Sequence, residues 1–148
     1  MIPDFQNDTS ALQTVLSAKP DVLNHNIEVV EDLFSKIRPH GNFQNSLDLL
    51  QKSKTIDPSI FTKSGFMIGL GETTDQIHRL LKDLRKASVD YLTIGQYLQP
   101  SKDHIQVEKY YSPLQFEEIA TTAKTLGFKH VESGPLVRSS YHADEFLN

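Results

Sequence analysis

This chain of 148 residues contains no cysteine. That excludes disulfides, cysteine-based zinc sites and a cysteine nucleophile. Positive charge is also in short supply. Fifteen Lys and Arg stand against nineteen Asp and Glu, for a net charge of −4, so the chain has neither the basic footprint of a nucleic-acid binder nor a polybasic membrane signal. No apolar run reaches the length that spans a bilayer, and Met1-Ile2-Pro3-Asp4-Phe5 has the pattern of neither a secretory signal nor an Arg-rich transit peptide. The HExxH, P-loop and GxSxG motifs are missing. His40, His78, His104 and His130 do not fall at metal-ligand spacing and read as surface residues. There is no low-complexity segment, linker or close internal repeat.

What remains is an ordinary globular composition, 38% hydrophobic and 23% charged, in a chain the size of one domain. At this size folding hides roughly two-thirds of the unfolded surface. Short β-like runs alternate with amphipathic helices. Asp8 caps a first helix with Leu12, Val15 and Leu16 on one face, and Asp21 to Leu23 reads as a short buried strand. A helix is expected from about Glu28, carrying Val29, Val30, Leu33, Phe34 and Ile37 and ended by Pro39 and Gly41. Another, around Asn45 to Lys54, buries Leu47, Leu49 and Leu50. The second strand is Phe61 to Ile68, closed by Gly69-Leu70-Gly71. Thr73 and Gln76 form a T-x-x-Q capping box ahead of Ile77, Leu80, Leu81, Leu84 and Ala87 at helical spacing. The third strand is Tyr91 to Ile94. A long loop runs to Ser112, where Pro113 and Gln115 complete a second helix start; Phe116, Ile119, Ala120, Ala123 and Leu126 follow, and Gly127 stops the helix. The fourth strand is Phe128 to Val131.

Such alternation implies parallel strands joined by right-handed crossovers. Four units are too few for a closed eight-stranded barrel; they suit a small open α/β sheet or part of a barrel. In both, ligands bind at the C-terminal ends of the strands, and polar and glycine residues collect at all four exits. Asn24-His25-Asn26 follows the first strand and is either a self-satisfied turn or a ligand contact. Lys63, inside an apolar strand, must reach solvent, snorkel or meet an anion. Gly69-x-Gly71 before a helix suggests close backbone approach to a ligand, and Glu72 suits a helix N-terminus. Gln96 lies in the polar stretch Gly95 to Pro100. The last stretch, Ser133 to His142, has no apolar periodicity and reads as a solvated tail or as part of a site. Arg138 could clamp a carboxylate in bidentate fashion, and the hydroxyls of Ser139 and Ser140 are poor metal ligands unless the metal deprotonates them.

Five blocks carry a resemblance. Ile2-Pro3-Asp4-Phe5 is similar to the end of the third barrel strand of lipoyl synthases. Pro20 to Glu28 resembles that family's PDVxNHNxE stretch, Thr62 to Thr73 its TKSGxMxGLGET, Leu92 to Ser101 its LTIGQYLQPS, and Ser133 to Asp144 its SGPLVRSSYHAD. The blocks occur in the family's order and spacing. The resemblance implies the C-terminal portion of a partial TIM-like radical S-adenosylmethionine barrel, residues 1–148, including the tail at 138–144. It implies a transferase of lipoate biosynthesis that inserts two sulfur atoms into an octanoyl group on a lysine of a lipoyl-domain protein. S-adenosylmethionine and two 4Fe-4S clusters serve that chemistry, one cluster cleaving S-adenosylmethionine and the auxiliary one giving up sulfur. By the same resemblance Ser139 is a ligand of the auxiliary cluster. Asn24, Asn26, Lys63, Gly69, Gly71 and Gln96 are placed toward S-adenosylmethionine, and Arg138 anchors the tail or a substrate charge.

Iron–sulfur clusters are held mainly by Cys thiolates, and those of the family lie upstream of the stretch this chain resembles. Neither cluster is therefore expected in the chain alone, which should be inactive by itself. Three readings follow: half of a lipoyl synthase whose N-terminal half is missing or separate, a non-catalytic half-barrel that binds S-adenosylmethionine or a lipoyl-domain protein, or a nonfunctional fragment. A half-barrel should also expose strand edges and an apolar inner face, and so self-associate. A cytoplasmic location is favoured by the lack of a visible transit peptide, with a mitochondrial or plastid matrix as the alternative.

Overall fold

A computed structural model describes residues 1–139. Four parallel strands form one sheet in the order β1-β2-β3-β4: β1 Val22–Asn24, β2 Phe61–Ile68, β3 Tyr91–Gln96 and β4 His130–Gly134. The helices are α1 Thr9–Ser17, α2 Glu31–Ile37, α3 Phe43–Ile56, α4 Thr74–Lys86 and α5 Pro113–Thr125. Because the strand order follows the sequence, there is no switch point. Right-handed crossovers then carry every connecting helix to the same side of the sheet. The molecule is a singly wound α/β sheet of the partial-barrel type rather than a doubly wound one.

Register separates the two faces. Leu23, Ser64, Phe66, Leu92, Ile94 and Val131 share the helix side, and all are buried. There they meet Ile77, Leu80, Leu81 and Leu84 of α4 and Phe116, Ile119 and Ala123 of α5. Each such aliphatic side chain contributes about 1.5–3 kcal/mol relative to exposure. Both capping boxes form. Thr73 Oγ1 accepts from Gln76 N at 3.2 Å while Gln76 Oε1 accepts from Thr73 N at 2.8 Å, and Ser112 and Gln115 repeat the pattern on α5.

The other face, which a barrel would enclose, carries Val22 and Asn24, then Phe61, Lys63, Gly65 and Met67, then Tyr91, Thr93 and Gly95, and finally His130, Glu132 and Gly134. The expectation of an apolar inner face is thus overturned: beyond the stacked rings of Phe61 and Tyr91, polar and small residues dominate it. His130 is likewise not a plain surface residue, since it lies half-buried on this face, 2.8 Å from Glu132 Oε1.

The segment after β1 departs from the helix expected at Glu28. Glu28 has φ +73°. Its N–H donates to Gly65 O at 3.0 Å and its carbonyl accepts from Met67 N at 2.8 Å. Pairing with β2 therefore wins over helical periodicity, Val29 and Val30 enter the core from non-helical backbone, and α2 begins at Glu31. Ahead of β1, Ile2 N donates to Asn24 O at 2.9 Å, which lays the N-terminal segment along the outer side of β1.

Candidate functional site

A cavity of about 370 Å³ opens over the C-terminal ends of the strands. Asn26, Glu28, Gly65 and Met67 form one side, Thr93, Gly95 and Gln96 the floor, Leu98 and Pro100 part of the rim, and Val137, Arg138 and Ser139 the far wall. Two buried side-chain oxygens here have no hydrogen-bond partner among the described residues: Asn26 Oδ1, in the cavity wall, and Asn24 Oδ1, beside Lys63 in register. A third orphan, Arg85 Nε, belongs to α4 and is remote from the cavity lining. Buried polar atoms are ordinarily paired, so two open acceptors at one strand end mark a place for a ligand that donates.

Lys63 is buried, and its Nζ donates to the carbonyl of Ser139 at 2.7 Å. Burial pushes its ammonium down to about 8, against the opposing charge of Glu132. Glu28 is shifted the other way: burial raises its carboxyl, opposed by a hydrogen bond from Asn26 and by Arg38. Arg138 Nη1 donates to Val137 O at 2.8 Å and lines the cavity. The structure thus brings Asn26, Lys63, Arg138 and Ser139 into one neighbourhood, with Asn24 adjoining. Residues 140–144 of the expected tail lie outside the described residues.

Gln96, Gly69 and Glu72 also join in a hydrogen-bonded set that ties two loops together. Gln96 points to the helix side of the sheet. Its Nε2 donates to Tyr97 O and Lys109 O, each at 3.0 Å, and its Oε1 accepts from Tyr111 N at 3.0 Å. Gly69 has φ +114°, and a Cβ on it would overlap Gln96 Nε2. The close approach its missing side chain permits is to the chain's own loop. Glu72 accepts from Gly69 N at 2.7 Å, Leu70 N at 2.9 Å and Tyr111 Oη at 2.8 Å. Burial and the Glu72 carboxylate together raise the Tyr111 phenol, which stays a donor. This set ties the loop after β3 to the turn after β2 and gives the cavity a fixed rim. Gly71, with φ +102°, faces only Glu108; it shapes that turn and does not line the cavity.

His25 is structural. Its Nδ1 lies 2.9 Å from Ile2 O and its Nε2 2.9 Å from Ser46 Oγ. A carbonyl can only accept, so Nδ1 carries the proton and Nε2 accepts from the hydroxyl. Burial lowers the pKa of this ring, opposed by the bond to Ile2.

Two residues that motif reading did not single out complete the site. Gly65 and Gly95 are glycines in strand interiors, which is itself a signal of close approach. A Cβ on Gly65 would overlap Thr93 Oγ1, and one on Gly95 would overlap Val137 O.

The donor set fits S-adenosylmethionine: open carboxamide oxygens for ammonium, amino or hydroxyl donors, and cations beside them for a carboxylate. It does not fit an iron–sulfur cluster. With no thiolate in the sequence, and no group of three or more His, Cys, Asp or Glu placed for a metal among the described residues, Ser139 stands as one oxygen where a cluster needs several ligands. No described helix is long and apolar enough to cross a membrane.

A sequential parallel sheet of βα units, with polar residues at its strand ends, has the architecture of a partial barrel, in which strand ends are the usual place for ligands. Comparison with known proteins narrows this. No family model matches the chain, but it is 54% identical over 148 residues to the lipoyl synthase of Caldanaerobacter subterraneus subsp. tengcongensis, covering 100% of this chain and 52% of that protein. It is 52% identical over 145 residues to the lipoyl synthase of Staphylococcus carnosus, 98% of this chain and 47% of the relative, and 50% identical to that of Rubrobacter xylanophilus, 98% and 45%. The chain is homologous along its length to the C-terminal part of lipoyl synthases. It spans about half the length of the curated relatives it matches.

Proposed function

We propose that this chain supplies the C-terminal portion of a lipoyl synthase, the part that binds S-adenosylmethionine and presents Ser139, and that it works with a cysteine-bearing N-terminal half. The reaction is insertion of two sulfur atoms into a protein-bound octanoyl group, the partner being an octanoylated lipoyl-domain protein and the setting the cytoplasm. The observation that carries this reading is the pair of oxygens on Asn24 and Asn26 left without a partner among the described residues, at the strand ends of a chain homologous to lipoyl synthases. S-adenosylmethionine would supply radical chemistry when bound beside a cluster held by the other half.

The residues here have narrower roles. Asn24 and Asn26 accept hydrogen bonds from the cofactor's donors, and the Asn26 amide shares its other end with Glu28. Gly65 and Gly95 keep the floor open. Arg138 offers a cation at the cavity wall. Leu98 and Pro100 at the rim limit water around the reacting group. Gly69 and Gly71 act by shaping the loops, and Gln96 both holds the rim and contributes to the cavity floor. Ser139 would add one oxygen to a cluster whose thiolates would have to come from elsewhere; an alkoxide is a harder base than a thiolate.

The test is anaerobic reconstitution with iron and sulfide, reading metal content and optical spectrum for the chain alone and for the chain mixed with a cysteine-bearing N-terminal half. Clusters and lipoyl product in the mixture alone are expected. No cluster in either sample would overturn the enzymatic reading and leave a non-catalytic half-barrel.

A further inference from the structure

Lys63 and Gly95 are far apart in sequence yet act on one segment. Lys63 lies in the middle of β2 on the inner face, between Asn24 and Tyr91 in register. Its ammonium reaches the backbone carbonyl of Ser139 at 2.7 Å. Gly95, on β3, supports Val137 O so closely that no side chain fits beneath it. Val137 itself is buried, and its N–H closes a turn onto Gly134 O at 3.1 Å. The path of residues 137–139 across the sheet is therefore fixed from below by a missing side chain and from the side by a cation.

We propose that Lys63 is a positioning residue for the C-terminal tail: seated on Gly95, the tail is locked by the Lys63–Ser139 carbonyl contact so that residue 139 stands at the wall of the cavity that Asn26 lines. The chemistry of the contact suits that task. A buried ammonium must have acceptors, and a carbonyl supplies one whatever side chain residue 139 carries. This contact is to the backbone, so it does not consume the Ser139 hydroxyl. The use made of that hydroxyl rests on the function proposed above; the anchoring does not.

Trypsin reads the anchoring directly in the full chain without cofactors. Cleavage after Arg138 releases Ser139–Asn148, which contains no further Lys or Arg. Cleavage after Lys102, exposed in the loop beyond β3, is the internal reference. When reclosing outpaces cleavage, release tracks the open population of the tail. Loss of a hydrogen bond from a charged donor should raise that population about tenfold or more. Lys63→Met is expected to speed release of the tail peptide by that factor while the Lys102 cut stays unchanged, and Gly95→Ala, which pushes Val137 away, is expected to do the same from the other side. Release from Lys63→Met at the unaltered rate overturns the proposal whatever Gly95→Ala does. So does equal acceleration of both cuts, which would make Lys63 a prop of the whole fold. Failure of cluster reconstitution bears on the proposed function and leaves this result standing.

Discussion

The two ends of the sheet are built on opposite plans. At the N-terminal end, Asp90 is buried with both oxygens engaged. Its Oδ2 takes Thr62 N at 3.0 Å and Lys54 Nζ at 2.6 Å, and its Oδ1 takes Lys129 Nζ at 3.1 Å. The same lysines lie over the ring of Phe61. Burial alone would raise the Asp90 carboxyl, but the bonds from Lys54, Thr62 and Lys129 outweigh it and hold the group below its ordinary value. At the C-terminal end, the side-chain oxygens of Asn24 and Asn26 are buried and have no partner among the described residues. One end uses its polar groups to hold the fold together, and the other leaves two acceptors open among the described residues.

The largest effect that would test this contrast is at the closed end. Asp90→Ala removes both ion pairs and leaves Thr62 N unpaired, and should cost about 2–3 kcal/mol of unfolding free energy by chemical denaturation. Binding of S-adenosylhomocysteine at the other end, per folded molecule, should not change. If affinity fell with stability, the two ends would be coupled and the contrast would fail. Asn26→Ala is the converse. Its unfolding free energy should shift by less than about 1 kcal/mol, because an unsatisfied oxygen is removed. Titration calorimetry on the chain mixed with its N-terminal half should show S-adenosylhomocysteine affinity down by about tenfold.

A smaller effect concerns His25, at the site end but fully partnered. Its folded pKa is depressed, so the unfolded chain takes up the proton first as pH falls. The stability it gives is present above about 6.5 and declines below that value, by no more than about 1.4 kcal/mol per pH unit. Urea midpoints at pH 7.5 and 5.5 measure the decline, which His25→Gln should flatten. The smallest expected effect is association. Among the described residues no strand pairs with the outer edge of β4, but β4 is short and carries His130 and Glu132, both features that discourage edge pairing. Light scattering should show weak, concentration-dependent self-association; a strict monomer would show that this edge is fully blunted.

Element order, both capping boxes and the clustering of polar residues at strand ends were legible in the sequence, because each rests on neighbours within one turn or one strand. β2 matches its expected range, Phe61 to Ile68, since Gly69-Leu70-Gly71 ends it locally. What was hidden depends on residues distant in the chain. Glu28 was expected in a helix because Val29, Val30, Leu33 and Ile37 have helical spacing, and only its pairing with β2 across some forty positions prevents it. Gln96 and Gly69 looked like ligand contacts because a glycine and a carboxamide at a strand end suit that use. That they face each other is a tertiary fact. The inner face was expected to be apolar on the general ground that a half-barrel lays open its core, and β2 alone, reading Lys63, Ser64, Gly65, Phe66, does not show which alternate set faces the helices.

The rim set of Gly69, Gln96, Glu72 and Tyr111 bears on inheritance as well as on shape. A side chain at 69 would strike the Gln96 amide, and shortening Gln96 would release Tyr97, Lys109 and Tyr111 together. Position 69 is held further by its φ of +114° and by Lys109 O, 2.7 Å from where a Cβ would sit. Across descendants of this sequence, position 69 should therefore stay glycine even in lineages where position 96 has lost its carboxamide, although twenty-six residues lie between the two.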